Sequence, residues 1–465
     1  VEGKKYFDFL SAYSAVNQGH CHPHIVGALQ RQSQRLTLTS RAFYNSNLGP
    51  FEKFMTELFG YDKVLPMNSG VEGGETSNKL ARKWGYQKKG IPENKARILF
   101  AHGNFWGRTL AAISSSDDPL SYKDFGPYMP GYDLIPYNDL DALERELKDP
   151  NVCAFMVEPI QGEAGVVVPD EGYLAGVRRL CTKYNVLFIA DEVQTGIART
   201  GRLLATDYED ARPDLLVLGK ALSGGVFPVS AVLADNEVMM CLKPGEHGST
   251  FGGNPLACAV AQAALEVVID EELAANANKL GMRFREAMQE LVESTELVSA
   301  VRGKGLLNAI VINDKPDSTT AWDLCVALKD NGLLAKPTHG NIIRFAPPLV
   351  MTAEELEARR QQRRQYPEHY TDEQEALAAD LSRVPARPRQ APILYSGEVR
   401  TLIILGLFVW GVIFLGGKHE WEHEVPKKCD DKCELCSGSR VHGLVFVHIC
   451  CTKFLQLAAF LPTIN

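Results

Sequence analysis

Short apolar runs recur between about residues 61 and 250, and most of them end in glycine or in polar residues. Helical stretches separate these runs, and such alternation predicts a mostly parallel sheet with helices on both faces. In open sheets of this kind ligands bind at the carboxyl ends of the strands. The residues that follow each run are therefore candidate site residues. The runs are Val64–Met67, Arg97–Ala101, Ala154–Val157, Val186–Ala190 and Leu215–Leu218.

Lys220 follows the run Leu215–Leu218 and a single glycine, and a small, Gly-rich turn comes after it. A lysine at the end of a buried strand lies close to a low-dielectric site, where desolvation favours the neutral amine. A neutral lysine amine can form a Schiff base with a carbonyl such as that of pyridoxal phosphate. A surface lysine at a strand end has the same local sequence, so the interpretation depends on the motifs upstream.

Asp191 follows the apolar run Val186–Ala190, which suits a strand buried on both faces. A carboxylate at this position can pair with a pyridinium nitrogen and keep it protonated, which strengthens the ring as an electron sink. Gln194 can reach the phenolic oxygen of the same ring. Acids that cap the next helix also follow many strands, so this motif is weak evidence alone.

Small residues open the helical stretch after Val64–Met67. Ser69, Gly70 and Val71 could form a phosphate cup, because backbone N–H groups and the helix dipole favour an anion at a helix start. The alternative is an ordinary capped helix start. The segment is neither a Walker A loop nor a dinucleotide fingerprint, so a nucleotide is not favoured.

Two further strand ends carry aromatic and charged residues. Phe105 could stack on a planar ring, and Arg108 could hold a substrate carboxylate through two parallel hydrogen bonds. A core aromatic and a surface arginine are the alternative. The run Ala154–Val157 leads into Glu158 and Glu163, so this strand again ends in acids.

These segments, in this order, resemble the class III (ω-amino) aminotransferases of fold type I, over about residues 1–357. The resemblance implies an α/β fold, with a large domain whose mostly parallel sheet is flanked by helices and a smaller α+β C-terminal domain. The implied divisions are an N-terminal segment 1–30, a cofactor-binding domain 31–268, a small domain 269–357 and a tail 358–465 outside the family pattern. In the small domain, Gly303–Ile310 is predicted to be one strand. The similar runs include residues 13–23, 37–45, 103–108, 155–169, 190–201, 245–255, 302–310 and 331–349.

The resemblance also implies the roles of the cofactor site. Lys220 becomes the lysine that binds pyridoxal 5'-phosphate and moves the proton, and Asp191 pairs with the pyridine nitrogen. Gln194 pairs with the ring hydroxyl, and Phe105 stacks on the ring. The phosphate is bound by Ser69, Gly70 and Val71, and Thr250 completes the phosphate site of a neighbouring subunit. That last role implies a homodimer or a higher homo-oligomer.

The substrate site follows from the resemblance in the same way. Glu163 masks Arg344 when an ω-amine binds, and it releases Arg344 for the α-carboxylate of 2-oxoglutarate. A structural salt bridge is the alternative for this pair. Arg108 binds the distal carboxylate, and Glu158 and Tyr13 line the pocket. The resemblance implies transfer of the δ-amino group of L-ornithine to 2-oxoglutarate, giving glutamate-5-semialdehyde and glutamate. Acetylornithine and 4-aminobutyrate are alternative amino donors.

Composition limits the other function classes. The chain of 465 residues can bury a large core, and its net charge of −8 argues against a nucleic-acid partner. The cysteines before residue 350 are scattered without metal-ligand spacing and indicate reduced thiols. The resemblance implies the mitochondrial matrix, with the cytoplasm as the alternative, and no targeting sequence is visible.

The two ends depart from the family pattern. Val1 begins partway into it, which predicts a missing N-terminal arm. The apolar segment 401–415 is shorter than a membrane span usually is, so contact with a membrane is not favoured. Cys429, Cys433 and Cys436 could ligate zinc, but their spacing favours chance clustering. A non-catalytic, truncated or fused protein with a transaminase fold is the rival interpretation.

Overall fold

The computed structural model describes residues 3–356 of the chain. The predictions for the tail 358–465, including the segment 401–415 and the cysteines Cys429, Cys433 and Cys436, lie outside this range. The strands are β1 (Phe7–Asp8), β2 (Lys63–Met67), β3 (Arg97–Ala101), β4 (Tyr132–Ile135), β5 (Val152–Val157), β6 (Leu187–Asp191), β7 (Leu215–Leu218), β8 (Ser230–Ala234), β9 (Val298–Lys304), β10 (Leu307–Ile312), β11 (Leu333–Leu334), β12 (Lys336–Thr338) and β13 (Ile342–Phe345).

The helices connect these strands and cover both faces of the larger sheet. They are α1 (Ser11–Ser14), α2 (Pro23–Ser33), α3 (Leu48–Phe59), α4 (Gly70–Trp84), α5 (Leu110–Ile113), α6 (Pro119–Tyr122), α7 (Leu140–Leu147), α8 (Tyr173–Lys183), α9 (Asn236–Met239), α10 (Pro255–Asp270), α11 (Leu273–Ser294) and α12 (Thr320–Asp330). A π-helix over Gly85–Lys89 extends α4, and 3-10 turns cover Ala205–Tyr208 and Lys220–Ser223.

The larger sheet has the strand order β2-β8-β7-β6-β5-β3-β4. Strand β8 is antiparallel to its neighbours β2 and β7, and the remaining pairs are parallel. Strands β5, β6, β7 and β8 are buried along their whole length, because helices pack on both faces. The predicted fold class, a mostly parallel sheet flanked by helices, is confirmed. The sequence analysis did not predict β4 and β8.

A second, antiparallel sheet of order β12-β13-β10-β9 is formed by residues 298–345. The segment Gly303–Ile310 was predicted as one strand, and that prediction is wrong. Gly305 adopts a φ of 52°, so the chain turns back there and β10 pairs with β9. Near the N-terminus, β1 pairs in parallel with β11, which joins the first residues to the C-terminal part of the described chain.

The turn α1 has an unusual backbone. Ser11, Ala12, Tyr13 and Ser14 have φ values of 49°, 46°, 61° and 74°, in the left-handed region that non-glycine residues rarely adopt. Both serines are buried. The strained turn directs Tyr13 towards the second sheet, where the side chain contacts Lys336.

Within residues 3–356, no helix is long and apolar enough to cross a membrane. The same residues contain no cluster of three or more histidine, cysteine or acidic side chains arranged to hold a metal ion. The boundaries proposed at residues 30, 268 and 357 stay predictions.

Candidate active site

The end of strand β7 lies against the start of helix α4. Strand β7 ends at Leu218, and Gly219 follows in an extended conformation before Lys220. A Cβ on Gly219 would lie 3.4 Å from Cα of Gly70 and 3.2 Å from Cγ1 of Val193. This close approach brings Lys220 next to the start of α4. Lys220 and Gly70 both line a cavity of about 320 Å³.

Lys220 occupies a strained position, with a φ of 39°. Burial lowers the pKa of its ammonium group, while the carboxylates of Asp191 and Glu158 act in the opposite direction. Desolvation therefore favours the neutral amine, as the sequence analysis expected. A neutral lysine Nζ can act as a nucleophile or as a base.

Asp191 is the last residue of β6 and is buried. Burial raises the pKa of its carboxyl group to about 6, although the N–H of Val193 donates to Oδ1 at 3.0 Å and Lys220 favours the charged form. No ion pair to Asp191 is present among the described residues. A buried carboxylate without a cationic partner fits the pyridine nitrogen of a bound cofactor.

Glu158 lies after β5 and is also buried. Its two carboxyl oxygens accept hydrogen bonds from the backbone N–H groups of Phe105, at 3.0 Å, and Gly162, at 3.2 Å. Burial and the nearby Asp191 raise the pKa of Glu158 to about 8. Glu158 therefore holds the segment that carries Phe105, and its burial favours the protonated form of the carboxyl group.

The start of α4 has the geometry of a capped helix. The Ser69 hydroxyl accepts from the N–H of Glu72 at 3.4 Å, and the Glu72 carboxylate accepts from the N–H of Ser69 at 2.7 Å, which is a capping box. The Ser69 hydroxyl also donates to Glu72. The N–H groups of Gly70 and Val71, in the first turn of α4, lack intrahelical partners and could bind an anion. The structure is thus compatible with both the phosphate cup and its alternative.

Glu163 and Arg344 form an ion pair with Nη1 to Oε2 at 3.0 Å. The Arg344 side chain is only 2% exposed, whereas that of Glu163 is 31% exposed. Nη2 of Arg344 donates to Oε1 of Gln194 at 2.8 Å, so one guanidinium contacts both residues. Burial lowers the pKa of Arg344, and Glu163 opposes this shift. The sequence analysis predicted the ion pair but not the contact with Gln194.

The remaining predicted site residues, Tyr13, Phe105, Arg108 and Thr250, are placed as follows. The guanidinium of Arg344 lies 5.6 Å from the ring centroid of Tyr13, and that of Arg108 lies 5.7 Å from the ring of Phe105. Arg108 is exposed. Thr250 is also exposed and lines a separate depression with residues 38–42. A single chain therefore does not bring Thr250 to Lys220.

Sequence reasoning missed two cations near the site. Arg199 is fully buried and donates to Oδ1 of Asn17, at 2.6 Å through Nη2, and to the carbonyl of Pro347 at 2.7 Å. Lys336 donates to the hydroxyl of Tyr13 at 3.2 Å. Buried and exposed arginines look alike in a sequence, so no local signal could have identified Arg199.

Comparison with known proteins identifies the family. The family described as aminotransferase class III matches residues 1–362. The chain belongs to the class III aminotransferases. Enzymes of this class use pyridoxal phosphate, which agrees with the positions of Lys220 and Asp191 at the ends of adjacent strands.

Curated relatives in this class are similar over most of their length. The mitochondrial ornithine aminotransferase of Drosophila melanogaster is 68% identical over 356 residues, which are 77% of this chain and 81% of the relative. The mitochondrial ornithine aminotransferase of Rattus norvegicus is 66% identical over 356 residues, with coverage of 77% and 80%.

Solved structures of class III enzymes share the fold. The ornithine aminotransferase of Toxoplasma gondii has a TM-score of 0.75 at 54% identity and covers 76% of this chain and 84% of its own. The acetylornithine aminotransferase of Elizabethkingia anophelis has a TM-score of 0.70 at 62% identity, with coverage of 77% and 88%. The fold type I architecture is confirmed, and two substrate names occur among similar structures.

Proposed function

We propose that the protein is an ornithine δ-aminotransferase, which transfers the δ-amino group of L-ornithine to 2-oxoglutarate. The products are glutamate-5-semialdehyde and glutamate. The observation that carries the proposal is the ion pair between Glu163 and the buried Arg344, next to Lys220 and Asp191. The ornithine aminotransferase names of relatives at 68% and 66% identity support it.

The residues present fit pyridoxal 5'-phosphate as the cofactor. When bound, it supplies an electron sink for the bonds around the amino-bearing carbon of the substrate. Asp191 would place a negative charge at the pyridine nitrogen, and the first N–H groups of α4, at Gly70 and Val71, would bind the phosphate. Phe105 would stack on the ring. Gln194 contacts Arg344 and would also hold the ring hydroxyl, so its amide would link the cofactor site to the substrate site.

Lys220 moves protons between carbon atoms in this proposal. Its neutral Nζ would take a proton from the substrate carbon that bears the amino group and return it to the carbon on the other side of the nitrogen, which is a 1,3-shift. Desolvation lowers the pKa of Lys220 and so favours the neutral form of the amine. The buried carboxyl group of Glu158 lies in the same pocket, and burial favours its uncharged form, so it adds little negative charge where a dicarboxylate binds.

The Glu163–Arg344 pair can open and close, which would let one site accept a different substrate in each half-reaction. L-Ornithine places an amine at the reacting end, where an unmasked Arg344 would repel it and attract its α-carboxylate instead. 2-Oxoglutarate places a carboxylate there, and this carboxylate needs Arg344. Because Glu163 is the more exposed partner, its side chain can rotate away while Arg344 stays fixed. In this scheme Arg108 binds the far carboxylate of both substrates, and Tyr13 lines the pocket near Arg344.

Thr250 belongs to the site of a second subunit in the proposed homodimer. It is exposed, and so are the neighbouring aromatic residues Phe43, Tyr44 and Phe251, at 69%, 107% and 54%. Apolar side chains exposed together around a polar residue are typical of an interface. Because Drosophila and rat relatives are named mitochondrial, we also propose the mitochondrial matrix as the compartment.

The test is a half-reaction assay on the purified chain loaded with pyridoxal phosphate. The visible absorbance of the bound cofactor should be lost on addition of L-ornithine and restored by 2-oxoglutarate. The competing donors are N-acetylornithine, the substrate in the name of the Elizabethkingia relative, and 4-aminobutyrate. Faster reaction with either competitor would assign the chain to that substrate. Failure to bind the cofactor at all would favour the rival, non-catalytic interpretation.

A further inference from the structure

The loop that carries Glu163 lies across one face of the antiparallel sheet. In the register of this sheet, Lys336 pairs with Arg344, Arg344 with Ala309, and Ala309 with Arg302. Residues that pair directly across strands point to the same face. The face therefore carries a row of three basic side chains with one small, fully buried alanine between the two arginines.

The loop is pressed closely onto this row. Gly165 has a φ of 99°, and a Cβ at this position would lie 2.6 Å from Cδ1 of Ile342 and 3.2 Å from Nη2 of Arg302. Val166 packs with Ala309 in one apolar cluster. Since interiors are close-packed, a larger residue at either position would lift the loop.

Two side chains from opposite edges of the sheet hold the loop backbone. The Thr338 hydroxyl on β12 donates to the carbonyl of Glu163 at 3.2 Å. Nε of Arg302 on β9 donates to the carbonyl of Gly165 at 2.9 Å. Arg302 makes no ion pair within residues 3–356, so this carbonyl is its main described partner. A half-buried cation without a carboxylate is costly unless a hydrogen bond compensates it.

We propose that Arg302 is a positioning residue that sets the amine-versus-dicarboxylate selectivity of the site, with Thr338 as its weaker counterpart. This inference rests on the proposed function. Arg302 and Thr338 fix the backbone on both sides of Ala164, so the Glu163 carboxylate stays on Arg344 and only its side chain rotates for opening. Neither residue contacts the reacting atoms. Without the anchor at Gly165 the loop moves, and Arg344 loses its mask in the resting enzyme.

The test uses a binding measurement and a kinetic ratio on the cofactor-loaded chain. Glutarate, a dicarboxylate without a keto group, reports how accessible Arg344 is and undergoes no transamination. For Arg302→Ala we expect the Kd of glutarate, from calorimetry, to fall about fivefold, the order expected for the net contribution of one ordinary hydrogen bond. The ratio of the ornithine to the glutamate half-reaction rate should fall by a similar factor.

Several variants separate positioning from a general structural role. Arg302→Lys should give an intermediate result, and Thr338→Val a smaller shift in the same direction. Ser299→Ala is the matched control, because the Ser299 hydroxyl also donates to a backbone carbonyl, that of Val311, from the same strand. It should change neither quantity. In a Glu163→Gln background, Arg302→Ala should have no further effect on glutarate binding.

Equal loss of both half-reactions in Arg302→Ala would overturn the proposal, and so would an undiminished effect in the Glu163→Gln background. If Arg302→Ala does not fold, Arg302→Lys and Thr338→Val decide the matter by the same two measurements. A wild-type chain that neither binds glutarate nor reacts with ornithine would refute the proposed function, and this inference with it. A normal wild-type enzyme with an unchanged Arg302→Ala variant would refute the inference alone.

Discussion

The two sheets contribute to the site in different ways. The larger sheet supplies Asp191 and Lys220 from the ends of adjacent, fully buried strands, so their positions follow from the sheet itself. The antiparallel sheet supplies Arg344 from the middle of β13, and a loop from elsewhere in the chain covers it. A rigid strand end suits residues that must stay fixed during bond breaking, whereas a loop held by two hydrogen bonds suits a residue that must move.

The largest effect is expected for Lys220→Ala. No other described amine lies at the end of β7, so transamination should fall at least about a thousandfold. Binding of glutarate should change much less, because Arg344 belongs to the other sheet. Steady-state turnover and calorimetry measure the two quantities. Turnover within tenfold of the wild type would show that Lys220, and with it the larger sheet, does not carry the chemical step.

Asp191→Asn should reduce turnover by about a hundredfold, because it removes a buried negative charge while keeping the shape of the side chain. Asp235→Asn is the matched control. Asp235 follows β8, which runs antiparallel to β7. It therefore lies at the end of the sheet opposite to Asp191, where it forms an ion pair with Arg212. Turnover should be unchanged in that variant, and equal losses in both would show that strand-end position is unimportant.

Glu163→Gln should act on selectivity rather than on the chemical step. Without its charge the side chain no longer neutralises Arg344, so the ratio of the ornithine to the glutamate half-reaction rate should fall about tenfold. Rapid-mixing absorbance measurements with each amino donor give this ratio. If both rates fell together while glutarate binding stayed constant, the pair would be the structural salt bridge of the alternative interpretation.

Glu158→Gln is expected to act on stability rather than on selectivity, and its effect is measured as stability against pH. Burial and Asp191 raise the pKa of Glu158 to about 8 in the folded chain, above its unfolded value. The folded state therefore binds more protons than the unfolded state between about pH 5 and 8, and stability falls as pH rises through this window. The variant should lose this dependence, which amounts to about 1.4 kcal/mol per pH unit at most.

Denaturant unfolding at pH 5, 6, 7 and 8 compares the two proteins. The difference in unfolding free energy should shift steadily in favour of Glu158→Gln as pH rises. Parallel curves would mean that Glu158 is ionised in the folded state, and the pocket would then hold a negative charge beside Asp191.

Local sequence patterns were sufficient to predict the bounds of strands that are buried on both faces. The runs Arg97–Ala101 and Leu215–Leu218 have the observed bounds, and the run before Asp191 is shifted by one residue. Direction and pairing could not be predicted in this way. Strand β8 is apolar, but its antiparallel insertion between β2 and β7 depends on contacts far apart in the chain. The split of Gly303–Ile310 depends on a turn at Gly305 that only pairing reveals.

Resemblance to the class III aminotransferases implied the family and the fold type I architecture. The sequence by itself determined the mostly parallel sheet, because apolar runs with polar ends are recognisable without knowledge of their neighbours. It also predicted that Glu163 and Arg344 pair, through resemblance. The tertiary structure decided which groups share one guanidinium, that Arg199 is buried, and that Arg302 and Thr338 hold the Glu163 loop. These facts depend on the register of an antiparallel sheet and on close packing, which bring together residues more than a hundred positions apart.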